Sequence, residues 1–175
     1  TVVVQASRLM DYAPAAGFWK LDSSRAEWLT PENLSEIFSV QKGIFIKNYG
    51  PSNLSTISLR GLDASHTAVI WNGINLQNPM NGVMDFSLLP AGIFDKISVD
   101  PASGTALSGS SSIAGSVFLD NISSPKDGWA GRIGMSAGSF EDFGQELKVQ
   151  FKNKKWAGTW AVQHQSAKND FRLPT

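Results

Sequence analysis

The chain has 175 residues, and its 15 Lys and Arg balance 15 Asp and Glu, so no net field draws it to nucleic acid or to an acidic surface. It contains no cysteine, which excludes disulfides, thiolate chemistry and cysteine-based zinc sites together. Charged residues are only 17% and aromatics 10%, a profile that suits a β protein with part of its surface hidden from water. No apolar run approaches the roughly 20 residues of a membrane helix, and no signal peptide is present, so an export signal is expected to have been removed or to lie outside this sequence.

In chain order, Thr1-Val2-Val3-Val4-Gln5-Ala6 is a β-branched run, read either as a first strand or as a segment that adds to another protein's sheet edge. Asp11 to Ser24 has Pro14, Gly17 and no clear period and reads as a loop. Thr30-Pro31-Glu32 predicts a helix start, with Thr30 as cap, Pro31 at the first helical position, and Leu34, Ile37 and Phe38 on one face. Gly43 to Lys47 reads as a strand, and Asn48-Tyr49-Gly50-Pro51-Ser52-Asn53 as an exposed loop returning into a strand from Thr56 to Arg60. Val69 to Trp71 and Ile74 to Leu76 flank Asn72-Gly73, the strongest short-range hairpin signal, because both turn positions need φ > 0. A second long loop, rich in Asn, Met, Gly and Pro, runs from Asn75 to Phe86, and Ser87 to Pro90 predicts a single helical turn. Loops on a rigid scaffold are where recognition residues sit, although the same residues also serve ordinary turns. The small-residue run Gly104 to Ser116 lacks the Lys and the ordered glycine spacing of a phosphate-binding loop.

After Pro125-Lys126-Asp127-Gly128 the pattern changes. Trp129, Gly131, Ile133, Met135 and Ala137 alternate with Ala130, Arg132, Gly134 and Ser136. A turn at Ser139 to Asp142 leads to Phe143, Leu147, Val149 and Phe151 alternating with Glu146, Lys148, Gln150 and Lys152. A tight turn at Asn153-Lys154-Lys155 precedes Trp156, Trp160 and Val162, set against Thr159, Gln163 and Gln165. Three consecutive strands of about ten residues, with one apolar and one polar face and aromatics near the ends, match a transmembrane β-barrel wall. A soluble antiparallel meander has the same period.

These segments resemble the N-terminal part of a TonB-dependent outer-membrane receptor, the plug domain followed by the first barrel strands, with the cobalamin receptors as the nearest likeness. The residues that carry it are Ile57-Ser58-Leu59-Arg60-Gly61, the hairpin Ala64-Ser65-His66-Thr67-Ala68-Val69-Ile70-Trp71-Asn72-Gly73, Ile97-Ser98-Val99, and Leu107-Ser108-Gly109-Ser110 through Ile113-Ala114-Gly115-Ser116-Val117. Asn72 stands where the family usually has Asp, and Ala102-Ser103, Ser108, Ser112 and Ala114 also depart from its pattern. The fold expected is a mainly β plug with short helices over 1–124, followed by the first three antiparallel strands of an incomplete transmembrane β-barrel over 125–175. Three strands cannot close a barrel, so the remaining strands are expected on a continuation.

The resemblance implies import of a scarce large ligand across the bacterial outer membrane, driven by TonB. Ligand-binding residues are expected in the two loops: Asn48, Tyr49, Ser52 and Asn53 in one, and Gln77, Asn78, Met80 and Asn81 in the other. Amides and a phenol suit a large polar ligand such as a corrinoid, and iron–siderophore chelates or haem are alternatives. Val2, Val3 and Val4 are expected to dock TonB by strand addition, and Arg60 to face barrel carboxylates across a hydrated plug–barrel contact. Trp129, Ile133, Leu147, Phe151, Trp156 and Trp160 are expected to face lipid. No cofactor, metal or catalytic residue is expected, since His66 and His164 lie in different elements and no Ser or Asp has a nucleophile setting. The rival reading is a soluble periplasmic or adhesive interaction domain without a transport role.

Overall fold

The computed structural model describes residues 19–21, 33–50, 53–101, 112–121, 127–138, 142–166 and 168. Val2 to Val4, Ser52, the expected cap Thr30, the first part of the small-residue run and the expected boundary at 124/125 lie outside these residues.

The centre of the first unit is a sheet in the order β1 (Trp19–Leu21), β6 (Lys96–Asp100), β7 (Gly115–Asp120), β4 (Thr67–Trp71), β5 (Ile74–Asn75). β4 and β7 run parallel, from Thr67 opposite Gly115 to Trp71 opposite Leu119, and the other pairs are antiparallel. β4 is buried from Thr67 to Ile70. A strand covered on both faces shows no alternation. The turn at its end is the expected one: Asn72 and Gly73 have φ of 48° and 86°, the left-handed pair of a two-residue hairpin. Gly115 starts β7 at φ 142°, and a Cβ there would run into the Asp100 carbonyl and the Leu59 side chain. Only glycine fits so close an approach.

A separate hairpin, β2 (Ile44–Asn48) with β3 (Ser55–Leu59), pairs Ile44 with Leu59 and Asn48 with Ser55. Between the hairpin and the sheet lies the core, into which α1 (Leu34–Ser39) delivers Leu34, Ile37 and Phe38. Phe38 meets Phe86 edge to face at 5.7 Å between centroids. The helical face is as predicted, but the start is not: α1 begins at Leu34 after Asn33, not at Pro31. Asn33 makes no side-chain cap, and the Leu34 N–H instead donates to the Leu89 carbonyl at 2.9 Å. A six-residue helix is not stable alone. Packing and this distant carbonyl set its first residue, which is why a local capping rule misplaced it. The turn predicted at Ser87 begins one residue earlier, over Phe86–Leu88, with the Asp85 carboxylate accepting from the Ser87 N–H and hydroxyl.

The second unit is a meander of three ten-residue strands, β8 (Gly128–Ala137), β9 (Phe143–Lys152) and β10 (Ala157–Ser166). Register puts Trp129 opposite Phe151, and Ile133 opposite Leu147, which faces Val162 on β10. One face is therefore apolar, and it stands open, with Ile133 74% and Trp129 70% exposed. The opposite face carries Arg132, Glu146 and Lys148 and is turned toward the first unit, where Glu146 and Lys148 are only 3% and 5% exposed. A soluble meander would bury the apolar face; here the charged face is the buried one. Among the described residues no helix is long and apolar enough to cross a membrane, which has no bearing on strands.

Candidate functional site

The two predicted loops converge on one groove. β2 places Phe45, Lys47 and Tyr49 on one face by the two-residue period, and their cross-strand partners on β3 add Ser58 and Thr56. Asn78, Asn81, Val83, Met84 and Asp85 close the groove from the second loop, and Leu62, Asp63 and Leu88 complete a space of about 650 Å³. The lining is mixed: Phe45, Tyr49, Leu54, Leu62 and Leu88 are exposed large apolar groups beside amides, hydroxyls and charges.

Lys47 lies 4.8 Å from the centre of the Tyr49 ring. Its pKa is raised, chiefly by its hydrogen bond with the Tyr49 side chain and then by the charge interaction with it. Asp63 is held below the usual carboxylate range by the Ser65 backbone N–H and the Ser65 hydroxyl, with bonds of 3.0 and 2.9 Å. The groove lining thus carries one lysine, Lys47, and two carboxylate side chains, Asp63 and Asp85.

The predicted loop residues divide by role. Tyr49, Asn78 and Asn81 line the groove. Asn78 and Asn81 each spend their oxygen on a turn, accepting from the Met80 and Val83 N–H groups. Asn48 accepts from the Gly50 N–H, and the Asn53 N–H donates to the Gly50 carbonyl, so both shape the first loop. Gln77 is not on the groove wall. Its Nε2 donates to the carbonyls of Ser65, Thr67 and Gly82, bolting the second loop to the start of β4. Met80, 94% exposed, projects from the loop tip. Sequence reasoning missed Phe45, Lys47, Asp63 and Asp85. Phe45 and Lys47 were legible, since they alternate with Tyr49 along one strand face.

A second polar assembly joins the two units. Lys148 Nζ donates to Asp95 Oδ1 at 2.6 Å and to the Ile93 carbonyl at 2.9 Å. Arg132 bridges the Glu146 carboxylate at 2.6 Å and the Gly92 carbonyl at 3.0 Å. Glu146 packs so closely on Gly92 that a Cβ there would collide with its carboxylate. Arg60 stands elsewhere, exposed just beyond β3 in the left-handed region at φ 56°.

A folded α+β unit tied by buried charges to the polar face of ten-residue strands, with the apolar face of those strands left open, is the arrangement of a plugged membrane barrel. The chain belongs to the family described as TonB-dependent Receptor Plug Domain, whose model matches residues 21–116, more than half of its length. Membership places it in the bacterial outer membrane. Over 125 residues it is 26% identical to the vitamin B12 transporter BtuB of Vibrio vulnificus (strain YJ016), a match covering 70% of this chain and 20% of that protein. Its fold is similar to that of the copper transporter OprC, with TM-score 0.67, 18% identity, and coverage of 86% of this chain and 24% of that one. The ferripyoverdine receptor of Pseudomonas aeruginosa gives TM-score 0.68 at 16% identity, covering 86% of this chain and 20% of that one. The chain thus spans about a fifth of the length of the transporter and the receptor just named.

Proposed function

We propose that this chain is the plug, over residues 1–124, and the first wall strands, from residue 125, of a TonB-dependent transporter that binds a scarce large ligand at the cell surface and imports it. The observation that carries the reading is the convergence of the Asn48–Asn53 and Gln77–Asn81 loops on one groove of about 650 Å³. Tyr49, Asn78 and Asn81 would contact the ligand, Gln77, Asn48 and Asn53 would hold the loops in place, Met80 would extend the contact at its loop tip, and Ser52 would add a hydroxyl to the ligand-binding set. A groove that mixes apolar side chains with amides and hydroxyls suits a corrinoid, whose large ring bears peripheral amides that donate and accept. Ferric siderophores and haem are the competing ligands, and the named relatives take cargo as different as vitamin B12 and copper.

Transport requires the plug to move, and its contact with the wall is built from ion pairs and carbonyl bonds that water can replace. Val2 to Val4 would pair with TonB as an added strand, in which main-chain bonds give affinity and alternate side chains specificity. Arg60, exposed and outside the contact with β8 and β9, would face carboxylates of other barrel strands. The test is equilibrium binding of cobalamin, ferric siderophores and haem to the full-length receptor and to its Tyr49→Ala, Asn78→Ala double variant. One ligand should lose about tenfold or more in affinity. Undiminished binding of every candidate would refute the groove assignment.

A further inference from the structure

We propose that the turn Asn153-Lys154-Lys155, together with the aromatic ledge beside it, binds the headgroup of an anionic phospholipid in the periplasmic leaflet of the outer membrane. The turn is pre-shaped: Asn153 Oδ1 accepts from the N–H groups of Lys155 and Trp156 at 2.9 and 2.7 Å, and the Asn153 N–H donates to the Trp156 carbonyl. Lys154 and Lys155 are exposed, and among the described residues neither enters an ion pair. Just inside the turn, on the lipid face, Trp129 packs against Phe151 at 4.7 Å and stacks on Trp160 at 6.3 Å with 18° between planes. The Trp160 ring lies back over Gly158, toward the turn, and Trp156 stands exposed on the turn itself. Indoles settle at the headgroup level of a bilayer, with the ring in the apolar zone and the N–H in the wet one. That depth puts the two ammonium groups among the phosphates, where the complementary partner is a lipid of net negative charge.

The leaflet follows from the connectivity. Ala157, Gly158 and Thr159, directly after the turn, line a cleft with Asn72 and Asn121, so the turn lies at the Asn72–Gly73 end of the plug. The groove loop is bolted to the other end of β4, at Ser65 and Thr67. A groove that faces outside therefore sets this turn on the periplasmic side, where barrel turns are short. The leaflet alone rests on the proposed ligand face; the lipid site does not.

The test uses the full-length receptor in nanodiscs of phosphatidylethanolamine with a minor share of phosphatidylglycerol, released into native mass spectrometry to count retained lipids. Wild type should retain phosphatidylglycerol beyond its share of the disc. Retention should fall about fivefold for each lysine removed, in Lys154→Gln and Lys155→Gln, and should be unchanged in Lys42→Gln, an exposed lysine of the plug. Trp156→Ala should lower it further, which pure charge attraction would not. Equal retention by wild type and the double lysine variant overturns the proposal, as does equal loss with Lys42→Gln. A parallel sample purified from native membranes reports lipopolysaccharide. Its selective loss in the double variant would overturn the proposal by placing the turn in the outer leaflet, and would at the same time invert the groove, whereas loss of groove binding alone leaves the lipid result standing.

Discussion

Gly92 and Gly115 show two different reasons for a missing side chain. At Gly115 the obstruction is backbone, the Asp100 carbonyl, and the conformation is one that L residues rarely adopt. At Gly92 the obstruction is the Glu146 carboxylate, held in place by Arg132. Gly92→Ala should therefore cost about 1–3 kcal/mol by overpacking, read as a lower melting temperature of the full-length receptor, and Glu146→Asp should recover part of the loss by drawing the carboxylate back. Gly115→Ala should cost at least as much, with no recovery from Glu146→Asp. Asp63 gives a pH prediction. Its pKa is depressed by the Ser65 N–H and hydroxyl, so its contribution to the Ala64–His66 turn is fully present above the usual carboxylate range and is lost as pH falls below it. Hydrogen exchange at the Ser65 amide, followed downward in pH, should show protection persisting past the point where an ordinary Asp is protonated, and Asp63→Asn should flatten that dependence.

At the scale of elements, the contact between plug and wall rests on β8 and β9 meeting the segment from Gly92 to Asp95. Lys148 is almost wholly buried and Asp95 partly so, so removing either leaves the other charge poorly paired. Lys148→Met and Asp95→Asn should each destabilise by about 2–4 kcal/mol, and the double variant by less than their sum, in a thermal double-mutant cycle. Strict additivity would mean that the pair does not couple the two units. This contact was only half legible in the sequence. The alternation of Glu146, Lys148 and Gln150 marked a polar face, but a polar face reads as wet, and nothing local says that Asp95 and two carbonyls of the plug cover it. The hairpin at Asn72-Gly73 and the three long strands were legible because their signals are local: a pair of left-handed turn residues and a two-residue period. The start of α1 was not, because its first N–H is satisfied by Leu89, far along the chain. The groove was legible as two loops and illegible as one site, since only the tertiary fold brings Tyr49, Asp63 and Asn78 to line the same space.

For the whole molecule, the proposed function is import, in which ligand held in the groove would be carried inward as TonB pulls on the N-terminal segment. Its most direct test is uptake and surface binding of the cognate ligand measured in the same cells, for wild type, Val3→Ala and Val3→Pro, with TonB present and absent. Pro removes an N–H and fixes φ, whereas Ala keeps the main-chain bonds of an added strand. The account predicts equal surface binding by all three, accumulation by wild type only when TonB is present, a moderate loss in Val3→Ala, and abolished accumulation in Val3→Pro. Accumulation independent of TonB, or near-normal uptake by Val3→Pro, would contradict it.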